Sequence, residues 1–195
     1  MAHILRTDQY MHRPLPRNTD LALAIKALAR QHQEAIWALH QTTSRLRSVL
    51  LEFYPQALKA FPKLTHHAAT TILGAAPTPA AGSRLTRRRV EALLRKCGRR
   101  NDPALVDHVL TALKAPTLRQ PPAVEEALGL ATRGLLEIIS SMRSSVDALE
   151  AELAREFGRH PLAPVLRSAP GLGPVLAARV LAELGDDPAR FTSVK

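Results

Sequence analysis

Two stretches of this 195-residue chain carry mainly apolar residues at spacings of three or four, each for longer than an ordinary globular helix. In the first, Ile25, Leu28, His32, Ala35, Leu39, Thr42, Leu46, Val49 and Phe53 share one helical face; Asn18 or Thr19 can cap its start, and Pro55 ends it. The second follows Pro121-Pro122 and carries Val124, Leu128, Ala131, Leu135, Ile138, Met142, Val146, Leu149, Leu153 and Phe157 to Gly158. At about 1.5 Å per residue it would reach roughly 50 Å. Gly129 and Gly134 weaken it by about 1 kcal/mol each. Stripes of this length must be covered, either by each other or by a second subunit, so a bundle core and a homo-oligomerisation arm both remain open. No run of alternating β-branched residues competes with them. The expected fold is therefore all-α: a long coiled-coil helix pair, a small basic helical region and a C-terminal helix-hairpin-helix.

The basic region lies between the two stripes. Pro77, Pro79 and Gly82 mark a loop, and two short helices follow at about Thr86 to Cys97 and Pro103 to Lys114, the second capped by Asp102 with Pro103 as its first residue. Around the first of them stand Arg84, Arg87, Arg88, Arg89, Arg95, Lys96, Arg99 and Arg100, a density that suits a phosphate-binding surface; a solubilising face is the alternative. The whole chain has a formal charge of +10. From Met1 to Arg119 there are 19 Lys and Arg against 7 Asp and Glu, a net of +12, whereas Gln120 to Lys195 has 8 against 10, a net of −2. Double-stranded DNA is the expected partner, because neutralising phosphates releases condensed counterions. With 4% aromatic residues and Trp37 alone of its kind, the grip should be electrostatic and not a stacking platform.

A second polyanion signal lies near the C-terminus. Pro170-Gly171-Leu172-Gly173-Pro174 reads as a tight turn leading into a helix whose first N–H groups are unpaired, and such a turn can present donors to a phosphate. Leu172 would plug the hairpin between its two helices. Leu176, Val180, Leu181 and Leu184 are expected on the buried face, with Ala177 and Ala178 allowing close packing and Gly185 as the stop. Arg167 and Arg179 flank the turn. The DNA-binding candidates are thus Arg87, Arg88, Arg89, Arg99, Arg100, Arg167, Gly171, Leu172, Gly173 and Arg179. An ordinary glycine turn between two core helices is the competing reading.

No catalytic or metal site is expected within this chain. Cys97 is alone, His66-His67 lack partners at zinc spacing, Ser168 has no evident base, and the acidic residues from 147 to 156 read as a solvated helix face. No apolar stretch serves as a membrane span or signal core, so a cytoplasmic protein is expected.

Several segments also resemble a known family. These are Ala2-His3-Ile4-Leu5-Arg6-Thr7-Asp8 with His12-Arg13-Pro14-Leu15, Ser44-Arg45-Leu46-Arg47-Ser48, Ala76-Pro77-Thr78-Pro79, Leu118-Arg119-Gln120-Pro121-Pro122, and above all Pro170 to Pro174 through Gly185-Asp186-Asp187 and Arg190-Phe191. Together they are similar to bacterial insertion-sequence transposases related to the Piv invertase. That resemblance implies an N-terminal RuvC-like domain with a D-E-D-D carboxylate set using Mg²⁺, a coiled-coil region, and a C-terminal transposase domain bearing a helix-hairpin-helix and a serine nucleophile. It also implies a DNA recombinase guided by an element-encoded RNA. On that alignment residues 1–17 would be a remnant of the RuvC-like domain, 18–157 the helical region with a basic insert at 77–119, and 160–195 the opening of the transposase domain. The carboxylates would fall before the chain and the serine after it, leaving a DNA-binding fragment that is catalytically incomplete alone. A non-enzymatic helix-hairpin-helix protein and a helical oligomerisation protein are the alternatives.

Overall fold

The computed structural model describes residue 7 and residues 17–98 and 102–191. The segment expected as a domain remnant therefore lies almost wholly outside the described residues, as do Arg99 and Arg100. Among the described residues the secondary structure is helical, without a strand, as the absence of alternating β-branched runs predicts. The helices are α1 (Asp20–Phe53), α2 (Pro55–Ala60), α3 (His67–Ala75), α4 (Pro79–Ser83), α5 (Arg87–Lys96), α6 (Pro103–Lys114), α7 (Pro122–Gly158), α8 (Ala163–Ser168) and α9 (Pro174–Leu184), followed by a 3₁₀ turn at Pro188–Phe191. They form two compact units that cut across both long helices: a central unit of residues 34–147 and a terminal unit of residues 1–33 with 148–195.

In the central unit the later part of α1 packs with the early part of α7, and α2 to α6 complete the core. Leu46, Leu50, Phe53, Tyr54, Ile72, Leu113 and Ile139 are fully buried there. The stripe of α1 is the expected one. The early stripe of α7 is not: the buried positions are Glu125, Gly129, Thr132, Leu136 and Ile139, one residue on from Val124, Leu128, Ala131, Leu135 and Ile138. Val124 is 40% and Ile138 47% exposed. The reason lies in what faces the helix. Arg119 forms a two-point ion pair with the Glu125 carboxylate, and the chain before α4 approaches so closely that a Cβ on Gly129 would sit 2.4 Å from Thr78 Cγ2. A glycine and two polar residues thus occupy the seam where an apolar pattern would be sought. From Val146 onward seam and expectation coincide.

Local capping explains the short helices. Thr86 accepts from the Arg89 N–H at 3.3 Å to start α5, and Asp102 Oδ1 accepts from the Leu105 N–H at 3.0 Å to start α6. The expected loop at 77–82 is instead partly helical, since Thr78 accepts from the Ala81 N–H at 3.2 Å and Pro79 fits the first turn of α4. Gly82 then leaves room for Tyr54, whose hydroxyl would lie 1.8 Å from a Cβ there. Burial without a hydrogen-bond partner drives the Tyr54 hydroxyl well above the ordinary phenol range.

The terminal unit is built on Ile25 and Ala29 of α1, Leu153 and Phe157 of α7, and Ala163, Ala177, Ala178 and Leu181 of the two short helices. Burying a residue of the size of Leu153 or Phe157 contributes about 1.5–3 kcal/mol. The small alanines bring α9 close, as expected, but its buried face is Ala177, Ala178, Leu181 and Ala182, while Leu176 and Leu184 are 49% and 45% exposed. The acidic run at 147–156 is also only partly a solvated face. Glu150 is exposed, but Glu156 is buried and paired with Arg155 and Arg159, each at 2.9 Å.

Candidate nucleic-acid interface

The arginine-rich helix α5 is held by its apolar side and leaves its charges outside. Val90, Leu93 and Leu94 are buried, whereas Arg84, Arg87, Arg88, Arg89, Arg95 and Lys96 are exposed. Arg87 is partly neutralised, by Asp107 of α6 and, at 4.0 Å, by Glu91. No acidic partner stands against Arg88, Arg89, Arg95 or Lys96 among the described residues. Arg87, Arg88 and Arg89 occupy the first turn, where the helix dipole already presents positive charge. Three cations at that end oppose the folding of the isolated helix and favour the approach of an anion.

At the hairpin α8 ends at Ser168, whose hydroxyl donates back to the Val165 carbonyl at 2.7 Å. Gly171 takes φ = +80°, a conformation that L side chains rarely adopt. Gly173 does not: at φ −69° and ψ 170° it is ordinary extended backbone, and a Cβ there would meet nothing within 4 Å. The two glycines therefore have different reasons to be present. Gly171 makes the turn; Gly173 leaves open space on the outer surface at the start of α9. Pro174 follows as the first helical residue, and the N–H groups of Val175 and Leu176 have no partner among the described residues. Leu172 is half-buried against the terminal core, as are Leu166 and Val175.

The two flanking arginines are placed differently. Arg167 is exposed. Arg179 instead turns inward, its Nη2 donating to His32 Nδ1 at 3.2 Å and its Nε buried without a partner. Because a guanidinium only donates, His32 Nδ1 accepts and its proton sits on Nε2, which lies 3.9 Å from the Glu150 carboxylate. Burial first, and the Arg179 charge second, hold the His32 imidazole below its ordinary range, against a smaller opposing pull from Glu150.

A further polar cluster, which residue spacing did not reveal, fixes this end of the terminal unit. Asp186 accepts from the Thr19 N–H at 2.9 Å, the Thr19 hydroxyl at 2.5 Å and His160 Nε2 at 3.1 Å. The Leu162 N–H donates to His160 Nδ1 at 3.2 Å, which places the His160 proton on Nε2, facing Asp186. Burial disfavours the Asp186 carboxylate, but the two Thr19 donors and His160 outweigh it and hold the group below the usual carboxylate range. The Asp186 N–H in turn donates to Asn18 Oδ1 at 3.2 Å. Among the described residues no group of three or more His, Cys, Asp or Glu is placed to hold a metal ion. None of the described helices is long and apolar enough to cross a membrane.

Comparison with known proteins points to mobile genetic elements. The chain is similar over its full length to insertion-element proteins. It is 42% identical over 200 residues to the IS117 mini-circle protein of Streptomyces coelicolor, whose name marks it as a candidate transposase. It is 29% identical over 187 residues to a 43.6 kDa IS110 protein of the same organism, and 27% identical over 188 residues to a 42 kDa IS900 protein of Mycobacterium paratuberculosis. These alignments take in 100%, 95% and 92% of this chain but 48%, 46% and 45% of the relatives, so the chain spans about half the length of the curated relatives it matches. No family model and no solved structure matches.

Proposed function

We propose that this chain is a nucleic-acid-gripping segment of an insertion-element transposase of the Piv-related group, holding double-stranded DNA by its backbone while strand cutting and joining are carried by other parts of the full protein. The observation that carries the reading is the 42% identity to the IS117 protein along the whole chain. Two features of the molecule support it. The exposed cations of α5 suit phosphate contact without sequence readout. The hairpin offers unpaired N–H groups beside a glycine that neither backbone conformation nor internal packing requires. An element-encoded guide RNA is a second polyanion that the same surfaces would accept. That these helices bind nucleic acid without themselves cutting or joining strands belongs to this proposal.

Duplex binding by the purified chain across a salt series tests the proposal. The expected log–log slope is steep, close to −0.9 for each phosphate neutralised. Affinity that is flat between about 50 and 200 mM salt, or no binding to any duplex, removes the reading.

A self-association role has its own support in large apolar side chains left exposed on the long helices of the central unit: Trp37 at 58%, Leu51 at 65% and Leu130 at 70%. We propose a homo-oligomer formed through these helices. Light scattering of the wild type and of Trp37→Ala with Leu130→Ala should show a fall in mass toward the monomer.

A further inference from the structure

Two arginines of the central unit are committed to one short connection. Arg47 of α1 donates through Nη2 to the Pro62 carbonyl at 2.6 Å, and Arg143 of α7 donates to the Thr65 carbonyl. The segment between α2 and α3 is thereby fixed from two sides, and a cavity of about 360 Å³ opens against it. That size falls within the range of roughly 300–1,000 Å³ usual for small-ligand sites. Its floor is apolar, made by Phe61, Ala68 and Leu105; its rim is Lys63, His66 and His108, all three exposed. His108 Nε2 donates to the Lys59 carbonyl at 3.2 Å, which places the proton on Nε2 and leaves Nδ1 as an acceptor with no partner among the described residues. No carboxylate lines the cavity. The thiol of Cys97 lies 3.6 Å from the His67 carbonyl, so the cationic end of α5, with Arg95 and Lys96, sits beside the start of α3.

An apolar floor under a cationic rim selects a ligand that is flat and apolar at one end and anionic at the other. We propose that this cavity receives a single unstacked nucleobase of a bound nucleic acid, the base on the Phe61, Ala68 and Leu105 floor and the adjoining phosphates on Lys63, His66 and the end of α5. The free Nδ1 of His108 is suited to accept from an exocyclic amine. An uncharged apolar ligand would leave the rim unused, and a bare phosphate would leave the floor unused. Removing a base from a duplex costs stacking and pairing, so the cavity favours positions already unpaired, such as a bulge. The inference rests on the proposed nucleic-acid role and refines it. Aromatic scarcity argues against a platform for many bases, but it does not exclude a pocket for one.

The test compares a fully paired DNA duplex with the same duplex carrying one bulged 2-aminopurine. The wild type is expected to bind the bulged duplex about tenfold tighter, the scale of one enclosed base, with a change in 2-aminopurine emission. Ala68→Leu, which fills the floor, should abolish that preference and leave the paired-duplex affinity unchanged. Should Ala68→Leu fail to fold, the exposed pair Lys63→Ala with His66→Ala should reduce the preference instead. Equal affinity for the two duplexes overturns the proposal while leaving backbone binding intact. If the chain binds no duplex at all, titration with dAMP up to about 10 mM, read on the imidazole C–H resonances of His66 and His108, decides the matter. Shifts confined to those two histidines support the cavity although the backbone role has failed; unmoved resonances overturn both.

Discussion

The central and terminal units each take part of α1 and part of α7, yet the buried face of α7 carries different chemistry in the two. In the terminal unit the contact is apolar, with Ile25, Ala29, Leu153 and Phe157, and the polar groups gather at its ends as His32 with Arg179 and His160 with Asp186. In the central unit the early seam of α7 contains Glu125, Gly129 and Thr132, and Thr132 Oγ1 is buried without a partner. The surfaces differ in the opposite sense. The central unit carries exposed side-chain charge on α5; the terminal unit offers backbone donors at an apolar hairpin. These are the two routes to a phosphate that we propose, one through side chains and one through the main chain.

The most severe test of this contrast bears on the seam of the central unit. Ile139→Ala should cost about 2–5 kcal/mol, as expected for a fully buried side chain, while its neighbour Ile138→Ala should stay within about 0.5 kcal/mol. Chemical denaturation of the two variants checks it. Equal losses, or a larger loss at Ile138, would restore the apolar stripe read from spacing alone.

The next effect concerns the side-chain route. Replacing Arg88, Arg89 and Arg95 together by Ala should reduce duplex affinity by at least about tenfold near 0.1 M salt and flatten the salt slope by about three units, close to one for each arginine that meets a phosphate. A slope that does not change would assign α5 to solubility, and the hairpin alone would remain as the grip.

Much of this architecture is legible in the sequence because the signals are local. Thr86, Asp102 and Pro103 mark helix starts with side chains that act within three residues, and α6 falls on the expected residues. The apolar period of α1 is read correctly for the same reason. What the sequence hides lies outside the helical period. Arg119 is only six residues from Glu125, but it covers that carboxylate from outside α7, and Gly129 resembles a weak point until Thr78 is placed against it. The inward turn of Arg179 depends on His32, distant along the chain, and the Asp186 cluster joins residues 18 and 19 to 160 and 186. One missed residue did leave a trace: Arg143 falls between Ile139 and Val146 on the true seam, and a cation on a buried face needs a hydrogen-bond partner for its charged end.

Acid sensitivity rests on one carboxylate in each unit. Asp186 and Glu125 both have carboxyls below their ordinary range, Glu125 chiefly through its hydrogen bonds from Arg119 and Asp186 through Thr19 and His160 against the burial that opposes them. The stabilisation each provides is therefore complete above the unfolded carboxylate value, about 4, and is lost as pH falls through the lower folded value. Asp186→Ala should cost on the order of 1–3 kcal/mol at pH 7 by leaving the Thr19 and His160 donors unpaired, and it should remove part of the acid-induced loss seen in the wild type. Glu125→Gln should remove another part. Thermal unfolding at pH 7 and pH 3 provides the readout, and an unaltered pH response in both variants would deny that either carboxylate is stabilised by folding.

The smallest expected effect is the most informative about the main-chain route, because the hairpin glycines separate folding from binding. Gly171→Ala forces a side chain into φ = +80° and should cost about 1–3 kcal/mol of stability. Gly173→Ala meets neither strain nor a neighbour, so its stability should equal that of the wild type. If a phosphate approaches the Val175 and Leu176 N–H groups, however, the new methyl stands at the mouth of that approach, and duplex affinity should fall severalfold with the salt slope little changed. A Gly173→Ala chain that folds and binds as the wild type does would make the hairpin a turn between core helices and leave α5 as the whole of the grip. A loss confined to Gly173→Ala, with α5 intact, would show that an ordinary backbone conformation has been kept free of a side chain for the sake of a ligand.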